Sequence, residues 1–482
     1  MRFGLVAFGL AVLILSPSAA SGVRSGRSAA AQRLAGSLDP SFGKDGIARG
    51  QSPIEAIAVQ PDGKIVVAGG AFELARYLPD GSPDPSFGDG GHVETPFADG
   101  GSADAVVVQR DGKIVVAGSS GTPSAPDAVF ALARYNPDGS PDAGFGTEGI
   151  TTTAFPEQDG SASFAGVFAL AALPGGEILA GGTAGFENDA VTLPTSSFAL
   201  ARYEQDGTLD PAFGDRGIVQ TRFDGNLGLY GMFVRPDGTI VAAGGAAGPG
   251  HGLTFQRMAI VRYKPDGSID PAFGTSGEVA SPATLNYSGG PSTLQGGKVV
   301  VAGETHNGAP VLARYTARGR LDSTFGKRGF SKVTRLKGGS TAVLAQKDGK
   351  ILLGTQFGAV ARLTSNGRLD PSFGTRGVAA PRGAGPFAVQ ADGKILVAGS
   401  SDESALERLI GGNNCIVPRL RGRAISKARA DLESSYCRTG HISRRFSSTV
   451  TRGRVISTAP PRGARLPGHA KVDLIVSRGR NP

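Results

Sequence analysis

At 482 residues the chain is long enough for one large domain and a smaller one. Its 75 glycines and 31 prolines stay below the roughly 25–30% share that marks low-complexity disorder. Hydrophobic residues at 40% can fill cores, and the absence of tryptophan argues against functions that need indole platforms, a quinone-cofactor propeller among them. Charge is uneven: residues 415–482 carry 15 Lys and Arg against 3 Asp and Glu, so a whole-chain +9 leaves −3 for residues 1–414. Two different objects therefore meet near Gly411-Gly412-Asn413-Asn414.

Residues 1–20 read as a secretory signal: Arg2, an apolar run from Phe3 to Leu15, then small residues at Ser18-Ala19-Ala20. Thirteen apolar residues fall short of the ~20 that a membrane span needs. The expectation is an exported protein, secreted or held at the cell wall, with a flexible mature N-terminus over 21–36 and no membrane span.

From residue 37 to 410 one unit is written seven times. A strand–turn–strand phrase, Gln60-Pro61-Asp62-Gly63-Lys64-Ile65-Val66-Val67-Ala68-Gly69, returns from Gln109, Leu173, Arg235, Leu294, Gln346 and Gln390. Leu74-Ala75-Arg76-Tyr77 returns with its arginine at 134, 202, 262, 314, 362 and 408. Asp84-Pro85-Ser86-Phe87-Gly88 has counterparts whose Phe stands at 42, 145, 213, 273, 325 and 373. β-Branched runs flank Pro-Asp-Gly, where proline presets φ and glycine takes the positive φ of a hairpin turn. Phe72 to Tyr77 alternates as a third strand, and His92 to Phe97 supplies a fourth. Four strands per unit without a helical period predict an all-β, seven-bladed β-propeller.

The order of the phrases predicts closure. The chain opens with Asp39-Pro40-Ser41-Phe42-Gly43 lacking a preceding Arg-Tyr strand, and the last unit ends at Leu406-Glu407-Arg408-Leu409 lacking the Asp-x-x-Phe-Gly phrase. The N-terminal segment should complete the last blade and remove its free edge. The three phrases resemble the delta-sixty repeat of bacterial surface and secreted proteins, which implies a propeller-like fold and no common activity.

Residues present in every unit serve the scaffold. Arg76 with Asp84 and Phe87, and Arg134 with Asp142 and Phe145, are expected to lock the third strand to its turn and to plug the gap between blades. Asp80 and Asp84 lack the spacing of a calcium loop, and the five histidines fall in different units without metal-ligand spacing. No Gly-x-Ser-x-Gly elbow or phosphate loop occurs, so no cofactor, metal or catalytic set is expected. Ligand contact is assigned instead to asymmetry. The step from the glycine ending the second strand to the arginine of the third is 7 residues at Gly69, but 16, 21 and 18 at Gly118, Gly181 and Gly244, then 11, 8 and 9. The three long connections belong to neighbouring blades and should form one raised crescent, with Phe186, Asn188, Asp189, His251, Phe255 and Arg257 as candidate contacts for an unknown protein or glycan.

After the linker 411–414, the tail 415–479 reads as a short strand at Cys415, an amphipathic helix from Ile425 to about Tyr436, a stop at Gly440, and strands at 455–457 and 472–476. Val417-Pro418, Gly422, Ala428, Leu432, Ser447-Ser448-Thr449-Val450, Gly453, Val455-Ile456-Ser457, Pro460, Gly463 and Lys471-Val472-Asp473-Leu474 resemble a PASTA domain, with Ala424 where a capping Ser or Thr is usual. The resemblance implies a small α+β module that binds peptidoglycan, and the basic excess suits an anionic wall polymer. Nucleic acid is not expected, since no aromatics interleave with the basic residues. Cys415 and Cys437, the only cysteines, should form a disulfide in an exported module with so small a core. The whole reads as a monomeric, non-catalytic binding scaffold. An extracellular hydrolase or lyase with a funnel site, and a purely structural surface protein, are the alternatives.

Overall fold

Ile65–Gly69 is apolar at every position and buried at every position. Such a run forms a strand covered on both faces, which requires a neighbour on each side of its sheet. The computed structural model of the chain describes residues 34–97, 100–121, 128–155, 163–186, 195–222, 227–247, 256–282, 287–383, 385–399, 404–466 and 468–480; the expected signal segment lies outside them. Blade one runs Ala56–Val59, Ile65–Gly69, Glu73–Tyr77 and His92–Glu94, each strand antiparallel to the next. Five further sheets repeat this order from consecutive sequence. The seventh combines Phe387–Val389, Ile395–Ala398 and Ala405–Leu409 with Ile47–Arg49 from the start of the propeller.

Each blade packs face to face on the next. Val66, Phe72 and Phe87 meet Ile114, Val116 and Ala133 between blades one and two. Phe42, Ile65 and Val67 meet Leu396, Ala398 and Leu406 between blades one and seven. The remaining interfaces hold equivalent clusters. The ring is therefore closed by apolar packing, and the expected seven-bladed propeller closed by its N-terminal segment is the observed architecture.

Closure goes further than one added strand. Ile47, Ala48 and Arg49 pair with Glu407, Leu406 and Ala405, and Asp39 accepts from Arg408 Nε at 3.1 Å. Residues 34–36, expected within a flexible segment, are pinned: the Ala35 carbonyl accepts from the Gly374 amide at 2.9 Å, and Gly36 donates to Ile410 at 2.7 Å. Residues 411–414, expected as a plain linker, are also packed into the ring. The Arg362 Nη1 donates to the Gly412 carbonyl, the Asn414 amide donates to Ser372 at 2.8 Å, and the Ala35 amide donates to Asn414 Oδ1 at 2.6 Å. The cause is that the chain leaves blade seven at this point, so blade six finds no turn of a continuing blade to accept its bonds.

The tail folds as a three-stranded sheet of Arg438–Arg445, Lys471–Ser477 and Val455–Ala459, with helix Ile425–Ser434 and a second pairing of Cys415–Ile416 with Arg465–Leu466. Two expectations shift. The helix ends at Ser434, and Tyr436 takes the left-handed conformation there, at φ 54°. Gly440, expected as the stop, lies within a strand, where a Cβ would collide with the Asp473 carboxylate.

Replacing Asp39 by Asn should expose how far the ring depends on its closure, because Arg408 is 4% exposed and would lose its buried counter-charge. The expected cost is about 3–5 kcal/mol, read as a lower denaturant midpoint. Removing residues 34–50 should also bring edge-driven association in sedimentation. Burial alone would raise the Asp39 carboxyl, but hydrogen bonds from Ser41, the Arg408 charge and Lys394 outweigh it and hold it at about 2. The folded value lies below the unfolded one, so this contribution is complete above about pH 4 and is lost as pH falls toward 2.

Candidate functional site

The residues kept in every blade are occupied with one another. Arg76 Nε donates to Asp84 Oδ2 at 2.7 Å, its Nη1 donates to the Pro137 carbonyl of blade two, and its guanidinium lies 4.5 Å from the Phe87 ring centre. Asp84 Oδ1 accepts from the amide and hydroxyl of Ser86, and Oδ2 also takes Lys64 at 3.0 Å. Arg134 repeats the arrangement with Asp142 at 2.6 Å, the Gln205 carbonyl of blade three and Phe145. Phe87 faces the next blade where a glycine makes room: a Cβ on Gly139, itself at φ 91°, would stand 3.0 Å from the ring. Lys64, Lys113, Lys298, Lys350 and Lys394 all reach the clamp aspartates, a role for the Asp-Gly-Lys lysine that the sequence reading missed. These groups are saturated and offer nothing to a ligand.

The crescent looks different from its sequence. Much of the added length in blades two to four is hairpin: Ser120 pairs with Val129, Phe186 with Thr195, and Ala247 with Gln256. Arg257 is a strand residue opposite Ala246, and Phe186 ends a strand. Asn188, Asp189, His251 and Phe255 lie outside the described residues. In blade three the glycine that matches Gly69 is Gly182, not Gly181, since both follow the opening isoleucine of their strand by four positions.

What the structure brings together is the centre of the ring. The inner strands of blades two to six carry a bulge near their start, at Ala103/Ala105, Val167/Ala169, Leu229/Gly231, Gly289/Ser292 and Ser340/Ala342. The partner strand makes room with glycine, because a Cβ on Gly118 or Gly244 would collide with the inner-strand carbonyl of Ser102 or Gly228. A bulge re-aims the residue it carries. Glu55, Asp104, Phe168, Tyr230, Pro291 and Thr341, from blades one to six in order, line one cavity of about 540 Å³. In this column the repeat does not repeat. Its signal in the sequence is position: Glu55, Asp104, Phe168, Tyr230 and Thr341 each stand five residues before the start of the strand–turn–strand phrase.

The cavity has two halves. Phe168 and Tyr230 hold their ring centres 6.0 Å apart at 51°, and are 36% and 46% exposed. Beside them, desolvation by the channel wall and then the charge of Asp104 push the Glu55 carboxyl above its usual range. Asp104 is raised by burial, against the opposing hydrogen bond from Ser102 at 2.7 Å. Among the described residues no group of three or more His, Cys, Asp or Glu converges as a metal site.

Strand direction alternates, so the first and third connections of every blade share one rim, and the second connection and the inner-strand bulge share the other. The PASTA-like module meets the first rim: Arg465 donates to the Pro371 carbonyl at 2.6 Å, Asn414 bonds Ser372, and Lys350 lies 5.2 Å from the Tyr436 ring centre. The cavity opens on the other rim. In the module Cys415 and Cys437 are joined, closing a separation of 22 residues, over a core of Val417, Leu420, Ala428, Leu432, Val455, Val472, Leu474 and Val476. Its arginines at 421, 423, 429, 438, 444, 445, 452 and 454 are exposed.

Two stability measurements check these environments. Asp104→Asn should leave the melting temperature unchanged or raise it at pH 7.5. A carboxyl raised in the folded state costs stability as pH climbs from its unfolded value through its folded one, so the variant's advantage should vanish near pH 3. In the module, Ala424 has the extended backbone of an N-cap at φ −63°, ψ 152° but no side-chain cap bond. Ala424→Ser should add about 1 kcal/mol, and Cys415→Ser should remove roughly 3 kcal/mol, both read by denaturant unfolding.

A family model described as a domain of unknown function (DUF5122) β-propeller matches residues 60–87, 109–145, 174–213, 235–273, 297–325, 346–373 and 390–409, and a PASTA domain model matches 416–478. Over 69 residues the chain is 33% identical to a probable serine/threonine-protein kinase of Clostridium acetobutylicum, spanning 14% of this chain and only 10% of that protein. Among solved structures, BamB from Moraxella catarrhalis superposes at TM-score 0.37 with 14% identity over 76% of this chain and 88% of its own. A chain of the mitotic checkpoint complex gives 0.47 with 10% identity over 83% and 100%. Both likenesses are loose, and the fold rests on the seven sheets themselves. A propeller joined to a PASTA module supports, in general terms, a scaffold of the cell envelope. The chain carries DUF5122 β-propeller repeats between residues 60 and 409 and a PASTA domain behind them.

Proposed function

We propose that this protein is an exported, non-catalytic capture scaffold of the cell envelope. The PASTA module contacts peptidoglycan or an anionic wall polymer, and the propeller presents its channel mouth to a separate ligand. The observation that carries this reading is the junction. Gly412, Asn413 and Asn414 are bonded into blade six, which fixes the module on the rim opposite the mouth. A molecule held to the wall through that module keeps its cavity open to the surroundings. The exposed arginines supply long-range attraction to an anionic polymer, and the disulfide suits an oxidising compartment.

The full chain should sediment with insoluble peptidoglycan at about 0.15 M salt and stay bound at about 0.5 M, where simple charge attraction is screened. Release at moderate salt would reduce the contact to non-specific attraction and remove the wall-binding claim. A second reading draws on Glu55 and Asp104: two carboxylates above their usual range in a central cavity suit acid–base chemistry on a glycan. Incubation with wall glycans separates the two, because reducing ends that accumulate with the native chain and not with Glu55→Gln would replace capture by hydrolysis.

A further inference from the structure

Two features of the central cavity cost the fold stability and sit side by side. Phe168 and Tyr230 expose aromatic surface on adjacent inner strands, although each is aimed there by a bulge that five described blades share. Glu55 and Asp104 place like charges on the next two blades around the axis, and Asp104 works against the ionised form of its neighbour. The clamp aspartates of the same blades show what the chain does with a carboxylate that serves only structure: it surrounds Asp84 with Arg76, Lys64 and Ser86, and Asp142 with Arg134, Lys113 and the Gly144 amide. Asp104 has a hydrogen bond from Ser102, and no cation among the described residues lowers either cavity carboxyl.

We propose that the channel mouth binds a protonated organic amine, with its ammonium group between Glu55 and Asp104 and its apolar body against Phe168 and Tyr230. This deepens the capture reading given above and rests on it. A single ligand of this kind offsets both costs, since a cation neutralises the carboxylate pair and also gains from an aromatic face. A neutral sugar would cover the rings but leave the two charges opposed. A bare metal ion would leave the rings exposed, and although Glu304 also lines the cavity, no three acidic, His or Cys groups among the described residues converge as a metal site. The volume of about 540 Å³ falls in the ordinary range for small-ligand sites, ~300–1,000 Å³. Pro291, Glu304 and Thr341, from blades five and six, complete the lining.

Calorimetric titration of the full chain with 2-phenylethylamine, 2-phenylethanol and an N-acetylglucosamine tetramer tests this directly. The expected result at pH 7.5 is saturable binding of the amine and none of the alcohol at the same concentration. The amine should weaken at least tenfold at pH 4, where protons compete for the same carboxylates. Asp104→Asn and Tyr230→Ala should each weaken it at least tenfold while melting no lower than about 2 °C below the native chain. Phe357→Ala, on the exposed second hairpin of blade six, should bind as the native chain does. Equal binding of amine and alcohol, amine binding that survives Asp104→Asn, or no amine binding at all would each overturn the proposal. Tetramer binding indifferent to Asp104→Asn would do so in favour of a neutral glycan. No wall material is present in this assay, so its failure leaves the sedimentation result standing.

Discussion

The structure hangs on one arginine used seven times. Its Nε ties the third strand to the turn that follows, its Nη1 crosses to a carbonyl of the next blade, and its flat face covers the phenylalanine wedged in between. Arg202, Arg262 and Arg314 make the same crossing to Pro265, Ala317 and Ser365, and Arg408 reaches Pro79 of blade one. A buried ion pair is weak evidence for net stability, because desolvation consumes much of its Coulomb gain. Its value here is geometric: a fork of donors fixed by a carboxylate sets the distance and angle between neighbouring blades, and the apolar clusters then fill a gap of constant shape.

That requirement explains both ends of the propeller. A ring of repeats has one seam, and at this seam the next blade in sequence does not exist. Blade seven borrows Asp39, Phe42 and Ile47–Arg49 from the N-terminal side. Blade six borrows Ala35 for its backbone bond and Gly412 for its arginine. The chain leaving the ring is thereby converted from a tether into part of the clamp, and the PASTA module inherits a fixed position on that rim. Rim and mouth then divide the labour: one carries saturated, repeated contacts and the basic module, while the other carries the cavity and the lengthened hairpins of blades two to four.

Most of the architecture was legible because it repeats. Three phrases in fixed order give blade number, strand order and closure, since each phrase encodes a local requirement such as a positive φ at Gly63 or an apolar run at Ile65–Gly69. The clamp partners were legible for the same reason, as Arg76 and Asp84 recur at constant separation. What stayed hidden was of two kinds. The seam contacts of Ala35, Gly412 and Asn414 arise from an absence, a missing blade, and leave no pattern of their own. The cavity was hidden because insertions of length are the more visible break in a repeated sequence. The difference that matters there is of residue type at a fixed position, where Glu55, Asp104, Phe168 and Tyr230 replace one another. Long loops were expected in blades two to four, where paired strands continue the hairpins instead. The helix stop was misplaced because glycine was taken as the terminator, while Tyr436 supplies the left-handed residue.

The seam is where the account is most exposed to test, and native-state hydrogen exchange reads it residue by residue. The amides of Gly374 and Asn414, bonded to Ala35 and Ser372, should exchange as slowly as the amides of Gly88 and Gly146, which bond to Asp138 and Asp206 in the middle of the ring. Exchange of Gly374 and Asn414 at the rate of an unfolded peptide, with Gly88 and Gly146 still protected, would contradict a clamp continuous through residues 412–414.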